Sequence, residues 1–182
     1  MTSQQTAPEA VRLEDLDQQS SSQSLNAARE LLLEYGRFVI AQPGAARFCF
    51  GSLEQEAARL PHSYLEQSGG CILATVENTP TGFPAGFIAW RELPPSTHVL
   101  PDAWEMKRLW VRPEARGLGL GRRLTEAVIA RAISVRRKAI YLDTAPASMS
   151  AAHRMYREMG FIECAPYNNT PVDGLVWMVK LL

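Results

Sequence analysis

The spacing of apolar and polar positions divides this chain into seven strand-like and four helix-like stretches. After a polar segment at 1–9, rich in Thr, Ser, Gln and Pro and read as a flexible tail, residues 10–13 form a short strand ended by the acidic cluster Glu14, Asp15 and Asp17. The Gln/Ser run at 18–24 leads into Leu25, Ala28, Leu31, Leu32 and Tyr35, which recur at helical spacing and predict a helix over 22–40, stopped near Pro43-Gly44. A shorter helix over 53–60 lies between Gly51-Ser52 and Pro61. The apolar, partly β-branched runs 71–76 and 85–90 enclose turn residues at 78–84, including Thr79-Pro80-Thr81-Gly82, and read as a hairpin. A third long strand covers 104–111. The next helix, over 119–136, carries Leu120, Leu124, Val128, Ala132 and Val135 on one face. A buried-type strand at 139–142, a helix at 149–159 and strands at 161–164 and 175–180 complete the chain.

This order predicts an α+β fold, a mixed and mostly antiparallel sheet of about seven strands flanked by about four helices, with residues 10–182 forming one domain. At 182 residues, 46% apolar and 21% charged, the chain can build and solubilise one core. Lys+Arg and Asp+Glu each total 19, so no global field draws it to nucleic acid or anionic lipid. Cys49, Cys71 and Cys164 are far apart, and His62, His98 and His153 lack ligand spacing, so we expect neither a metal nor a disulfide framework. A reducing cytoplasm is the simplest setting. No window approaches the roughly 20 apolar residues of a membrane span.

The chemistry concentrates at Arg116-Gly117-Leu118-Gly119-Leu120-Gly121, which comes after a strand and opens a helix. Main-chain amides without intrahelical partners converge there, and the helix dipole adds positive character, so the turn suits an anion. Glycine permits positive φ and removes the Cβ that keeps a phosphate from the amides. Arg116 adds a planar charged fork. A Walker loop does not fit, because no Gly-Lys stands at the required distance. A dinucleotide site is a rival: Gly119 and Gly121 supply two of its glycines and Asp143 ends the next strand. Leu124, however, occupies the third glycine's place, and Glu105, Lys107 and Arg108 make the preceding strand too polar for that fold.

These residues resemble the GNAT superfamily of acyl-CoA-dependent N-acetyltransferases, whose pyrophosphate motif is R/Q-x-x-G-x-G/A. Arg116, Gly119 and Gly121 match it, Leu109-x-Val111-x-Pro113 precedes it, and Ala152, Tyr156 and Gly160-Phe161 match a second family feature. The similarity is clearest over 104–161. It implies an acetyl-CoA donor and a small-molecule amine acceptor. It also implies that pantetheine runs along the main chain of Leu109, Trp110 and Val111, and that the diphosphate sits on the amides of 116–121. Arg122 and Arg123 in the first helical turn either reach coenzyme A phosphates or form a solvated face. Met149 stands where the family often places an Asn.

Acetyl transfer needs a neutral amine near the carbonyl, donors for the developing oxyanion and help for the departing thiolate. Tyr156, by its match to the family's tyrosine, faces the sulfur, or else shares a buried stripe with Ala152, Met155 and Met159. A phenol near pKa 10 against a thiol of about 8.5 makes it mainly a hydrogen-bond donor unless the site lowers its pKa. Glu105, read with the same parity as Lys107, Leu109 and Val111, is either the general base or part of a charge pair with a neighbouring strand. Tyr35, Trp90, Tyr167 and Asn168, with Tyr64, Arg91 and Asn169, are candidates to line the acceptor pocket. The expected protein is an N-acetyltransferase acting on a small molecule or amino acid, as monomer or homodimer. An acyl-CoA-binding sensor without turnover is the alternative, and an NAD-binding domain the remote one.

Overall fold

The computed structural model describes residues 10–42, 50–77, 82–170 and 172–182. The expected tail at 1–9, the helix stop at Pro43-Gly44, Cys49 and the hairpin-tip residues Asn78, Thr79, Pro80 and Thr81 lie outside the described residues. In chain order the elements are β1 (Val11–Asp15), α1 (Ser22–Ile40), α2 (Phe50–Ala58), α3 (His62–Leu65), β2 (Gly70–Val76), β3 (Phe83–Leu93) and β4 (Ala103–Val111). A 3₁₀ turn at Pro113–Ala115 then leads to α4 (Leu120–Ser134), β5 (Ala139–Thr144), α5 (Ser150–Glu158), β6 (Ile162–Cys164) and β7 (Val176–Leu181).

One seven-stranded sheet runs in the order β1-β2-β3-β4-β5-β7-β6. Every neighbouring pair is antiparallel except β4 and β5. This is the mixed, mostly antiparallel sheet expected, and it excludes the parallel, doubly wound sheet of the dinucleotide alternative. The described helices number five, because the four residues of α3 after Pro61 are too few to show a helical period.

The bounds of α1 agree with the expected 22–40. Ser21 caps it, its Oγ accepting from Ser24 N–H at 3.0 Å, and Ala28, Leu31, Leu32 and Val39 bury the inward face. That face meets α2, α3 and the β2–β4 face carrying Cys71, Leu73, Phe87 and Ala89. On the opposite face, Leu124, Val128 and Ala132 of α4 and Tyr156 of α5 close over Ile72, Ile88, Met106, Ile140 and Met178.

Three local expectations need correction. β1 does not end at Glu14: Glu14 and Asp15 stay in register opposite Leu73 and Ile72, with the Asp15 carboxylate held by Arg131. Pro84 belongs to β3, opposite Thr75 at a register shift. Val135 leaves the apolar stripe of α4 because the helix stops at Ser134, and its side chain is 55% exposed.

The feature that positions the site is a bulge in β4. Phe87 pairs with Trp110 and Ala89 with Lys107, so β4 carries one more residue than β3 there. Arg108 takes it up at φ 62°, a left-handed conformation rare outside glycine. The extra residue reverses the facing of the strand beyond it, so Leu109 and Val111 join Met106 in the core beneath α4. They do not share a face with Glu105 and Lys107, as simple alternation would have them.

Candidate active site

Just before the bulge the sheet opens. The parallel ladder between β4 and β5 runs only from Ala103/Ala139 to Glu105/Tyr141, after which the strands separate. The edge of β4 that faces β5 is therefore available for a ligand over Leu109, Trp110 and Val111. A cleft of about 540 Å³ runs along that edge to Gly117, Gly119, Gly121 and Arg122, with Tyr35 and Phe38 on one wall and Ser148, Met149, Ala152 and Met155 on the other.

The glycine turn forms the mouth of this cleft. Gly117 and Gly119 have φ of 87° and 73°, and Gly119 is the residue before α4. The first helical bond is Arg123 N–H to Gly119 O at 3.1 Å, which leaves the amides of Leu120, Gly121 and Arg122 directed out of the helix end. Gly121 has an ordinary helical conformation, and a Cβ there would meet Met155 Sδ no closer than 3.5 Å. Packing within the protein does not demand glycine at 121. The space its missing Cβ leaves faces the cleft, as a cradle for a diphosphate requires. Arg116 lies over the Trp110 ring at 5.3 Å and donates to Val111 O at 3.3 Å. Arg122 lines the cleft while paired to Glu158 at 2.6 Å. Arg123 turns away, donating to Val11 O on β1 at 3.4 Å, and the Leu118 side chain is 42% exposed outside the cleft.

At the inner end of the cleft, where the strands part, a cavity of about 50 Å³ is lined by Tyr35, Leu109, Leu142, Asp143, Met149 and Tyr156 among others. Tyr156 is buried against Phe161, and among the described residues its hydroxyl has no hydrogen-bond partner. Burial above all, with Tyr35 and Asp143 adding, pushes this phenol above its ordinary pKa. The site therefore does not make Tyr156 a stronger acid, and a hydrogen-bond donor is the role it suits.

Glu105 is engaged from every side. Its carboxylate is 1% exposed, and Arg91 grips Oε2 at 2.7 Å through both Nε and a terminal nitrogen. Oε1 accepts from Lys107 Nζ at 3.2 Å, Asn168 Nδ2 at 3.0 Å and the Tyr167 hydroxyl at 3.3 Å. Burial pushes its pKa up, but Lys107 and Arg91 together prevail and hold it below the ordinary carboxylate range. Of the two readings of Glu105, this geometry matches the charge pair with a neighbouring strand, and a carboxylate so occupied is a poor proton acceptor.

A family model described as "Acetyltransferase (GNAT) family" matches residues 26–161. The chain belongs to the GNAT acetyltransferase family. An uncharacterized N-acetyltransferase of Schizosaccharomyces pombe is 38% identical over 78 residues, 43% of this chain and 47% of that relative. The chain thus spans less than half of that relative's length. Among solved structures, a GNAT-family acetyltransferase of Staphylococcus aureus superposes with a TM-score of 0.69 at 17% identity, covering 94% of this chain and 99% of the other. The NatC complex bound to Gag peptide and CoA contains a chain that superposes with a TM-score of 0.67 at 19% identity, covering 94% and 98%. At such identities the likeness is one of fold.

In this GNAT chain a second cavity, of about 170 Å³, lies beyond the fork, lined by Tyr35, Gln42, Lys107, Arg108, Asp143 and Asp173 among others. Tyr35 is the one predicted acceptor residue that faces it. Trp90 does not: it is buried beneath α4, its ring 5.6 Å from that of Trp104, with Arg131 above it. Tyr167 packs edge-on against Tyr141 at 5.3 Å and forms a wall rather than a lining. Asn168 acts from behind, donating to Glu105 Oε1 at 3.0 Å and to Asp143 Oδ2 at 2.9 Å while accepting from Trp177 Nε1 at 2.8 Å. Asn169 is exposed. Tyr64 is buried and donates to Glu56, which binds Arg108 at 2.9 and 3.1 Å, and Arg108 in turn lies over the Tyr35 ring at 5.6 Å. The carboxylate that does face the fork is Asp143, which sequence reasoning marks at the end of a buried strand but weighs only for the dinucleotide alternative. Met149, in the position where the family often has Asn, lines both cavities and the cleft, its sulfur 3.9 Å from Thr144 Oγ1.

Among the described residues no helix is long and apolar enough to cross a membrane, and no group of three or more His, Cys, Asp or Glu is placed to hold a metal.

Proposed function

We propose that this protein transfers an acetyl group from acetyl-coenzyme A to a primary amine, a small molecule or amino acid rather than a protein, by direct attack in a ternary complex. The observation that carries this reading is the parting of β4 from β5 beside a glycine cradle, with Tyr156 at the bottom of the fork. Acetyl-coenzyme A supplies a thioester carbonyl as the electrophile. The amides of Leu120, Gly121 and Arg122, with Arg116, hold its diphosphate. The free edge of β4 at Leu109 to Val111 orients the pantetheine arm.

Asp143 faces the fork and accepts hydrogen bonds from Asn168 and Thr170 at 2.9 and 2.8 Å, both neutral donors. It can receive an ammonium and take one of its protons, leaving a neutral nitrogen to attack. As the nitrogen–carbon bond forms and the carbon–sulfur bond breaks, Tyr156 donates a hydrogen bond to the sulfur. The second proton lost from nitrogen ends on the thiol. The test is a thiol-release assay with acetyl-coenzyme A and a panel of amines. Thiol release that depends on an amine supports transfer, whereas tight coenzyme A binding with no release for any amine favours a sensor.

A further inference from the structure

The charges around the fork do not cancel in place. Lys107 and Asp143 line the same two cavities from strands that have just separated. Among the described residues Lys107 has a single carboxylate partner, Glu105, at 3.2 Å, and Arg91 already holds that carboxylate through two contacts. One positive charge is thus left over on the Lys107 side. Asp143 has no cation against it among the described residues, only the amide of Asn168 and the hydroxyl of Thr170, which leaves one negative charge on the other side. Arg108 contributes nothing to the balance, because Glu56 binds it through two nitrogens.

Two opposite charges held apart in a part-buried cavity attract a ligand that carries both. We propose that the acceptor is an amino-acid-type zwitterion, its ammonium received by Asp143 and its carboxylate by Lys107. This rests on the amine-acetylating reading above and narrows it to one substrate class. Asp173, an exposed carboxylate with a contact of its own, also lines the larger cavity and is the feature there that argues for a diamine. Water screens an exposed carboxylate, however, while a second cation close to the fork meets the excess charge at Lys107. A peptide amine offers no carboxylate beside its nitrogen, so it leaves Lys107 without a counter-charge.

The experiment compares amino acids with their amides and with diamines, by thiol release and by calorimetric titration into coenzyme A-loaded protein. A charge-assisted contact is worth about tenfold to a hundredfold, so free acids should exceed their amides in kcat/KM and in affinity by that ratio. Lys107→Met should bring the acid-to-amide ratio close to one, and Lys107→Arg should restore most of it. An unchanged melting temperature shows that the variants fold. Equal use of acid and amide by the natural protein overturns the proposal and leaves amine acetylation standing, as does a preference for diamines. If no amine releases thiol, the titration still decides: acids must bind more tightly than amides in the natural protein and in Lys107→Arg, and must lose that advantage in Lys107→Met, or the assignment falls.

Discussion

Arg91 Nε lies 2.7 Å from Glu105 Oε2, and this contact across two antiparallel strands fixes the carboxylate that sequence reasoning offers as a base. Through Oε1 the same carboxylate anchors Tyr167 and Asn168, and Asn168 reaches on to Asp143. Glu105 is thereby tied to the loop that carries Tyr167 and Asn168, a geometry that favours holding this loop over moving a proton.

Glu105→Gln tests this. The amide retains an acceptor for Asn168 but leaves Arg91 and Lys107 without their counter-charge. Breaking a buried pair costs about 3–5 kcal/mol, and solvent at the one-third exposed Arg91 reduces that, so we expect a loss of about 2 kcal/mol in a thermal melt. Acceptor KM should rise while kcat falls less than about tenfold, since no proton-transfer group has been removed. A kcat loss of about a thousandfold with KM unchanged would restore Glu105 as the base.

Tyr156→Phe removes only a hydroxyl that has no partner among the described residues, so no buried group is left unsatisfied. The melting temperature and coenzyme A affinity should match the natural protein. If the phenol donates to the departing sulfur, kcat should fall by about a hundredfold to ten-thousandfold. Near-normal turnover would return Tyr156 to the core stripe with Ala152, Met155 and Met159.

The sequence is legible where one local signal matches the final packing. Ser21 as cap and Ala28, Leu31 and Leu32 at helical spacing bound α1, and strand, arginine, alternating glycines and helix mark the mouth of the cleft. It is not legible where a single residue changes the geometry of a strand. Nothing in the run Glu105 to Val111 announces that Arg108 adopts positive φ, and that residue alone reverses the facing of Leu109 and Val111 relative to Glu105. The candidate acceptor residues suffer most, because the cavity beyond the fork is assembled from separate segments of the chain. Trp90 is misjudged since an aromatic at a strand end reads alike in a pocket or in the core, and Asp143 is placed with the wrong alternative since its partners Asn168 and Thr170 are 25 and 27 residues away.

The two glycines of the cradle should separate by phenotype. Gly119 holds φ of 73°, so Gly119→Ala should cost about 1 kcal/mol of stability through the backbone alone. Gly121 is helical and its added Cβ meets Met155 and Leu109 side chains no closer than 3.5 Å, so Gly121→Ala should leave the melting temperature unchanged or slightly raised. Coenzyme A affinity, measured by calorimetry, should nevertheless fall about tenfold or more, because the methyl occupies space meant for phosphate oxygens. Full affinity in Gly121→Ala would mean that the diphosphate lies elsewhere.

The ion pair between Glu56 and Arg108 predicts how acid weakens the fold beside the bulge. Burial pushes the Glu56 pKa up, but the charge and hydrogen bonds of Arg108, with the Tyr64 hydrogen bond and the charge of Lys107, together outweigh burial and set it below the ordinary carboxylate value. A carboxylate lowered on folding stabilises the native state above its unfolded value, about 4.3, and loses that contribution as pH falls through the lower folded value. Thermal melts of the natural protein and Glu56→Gln should therefore differ most near neutral pH. The difference should shrink below about pH 4, as protonation removes the charge that the variant already lacks. A gap that stays constant from neutral pH to about pH 3 would mean that Glu56 contributes through packing and its bond to Tyr64, and that Arg108 keeps its left-handed backbone without the pair.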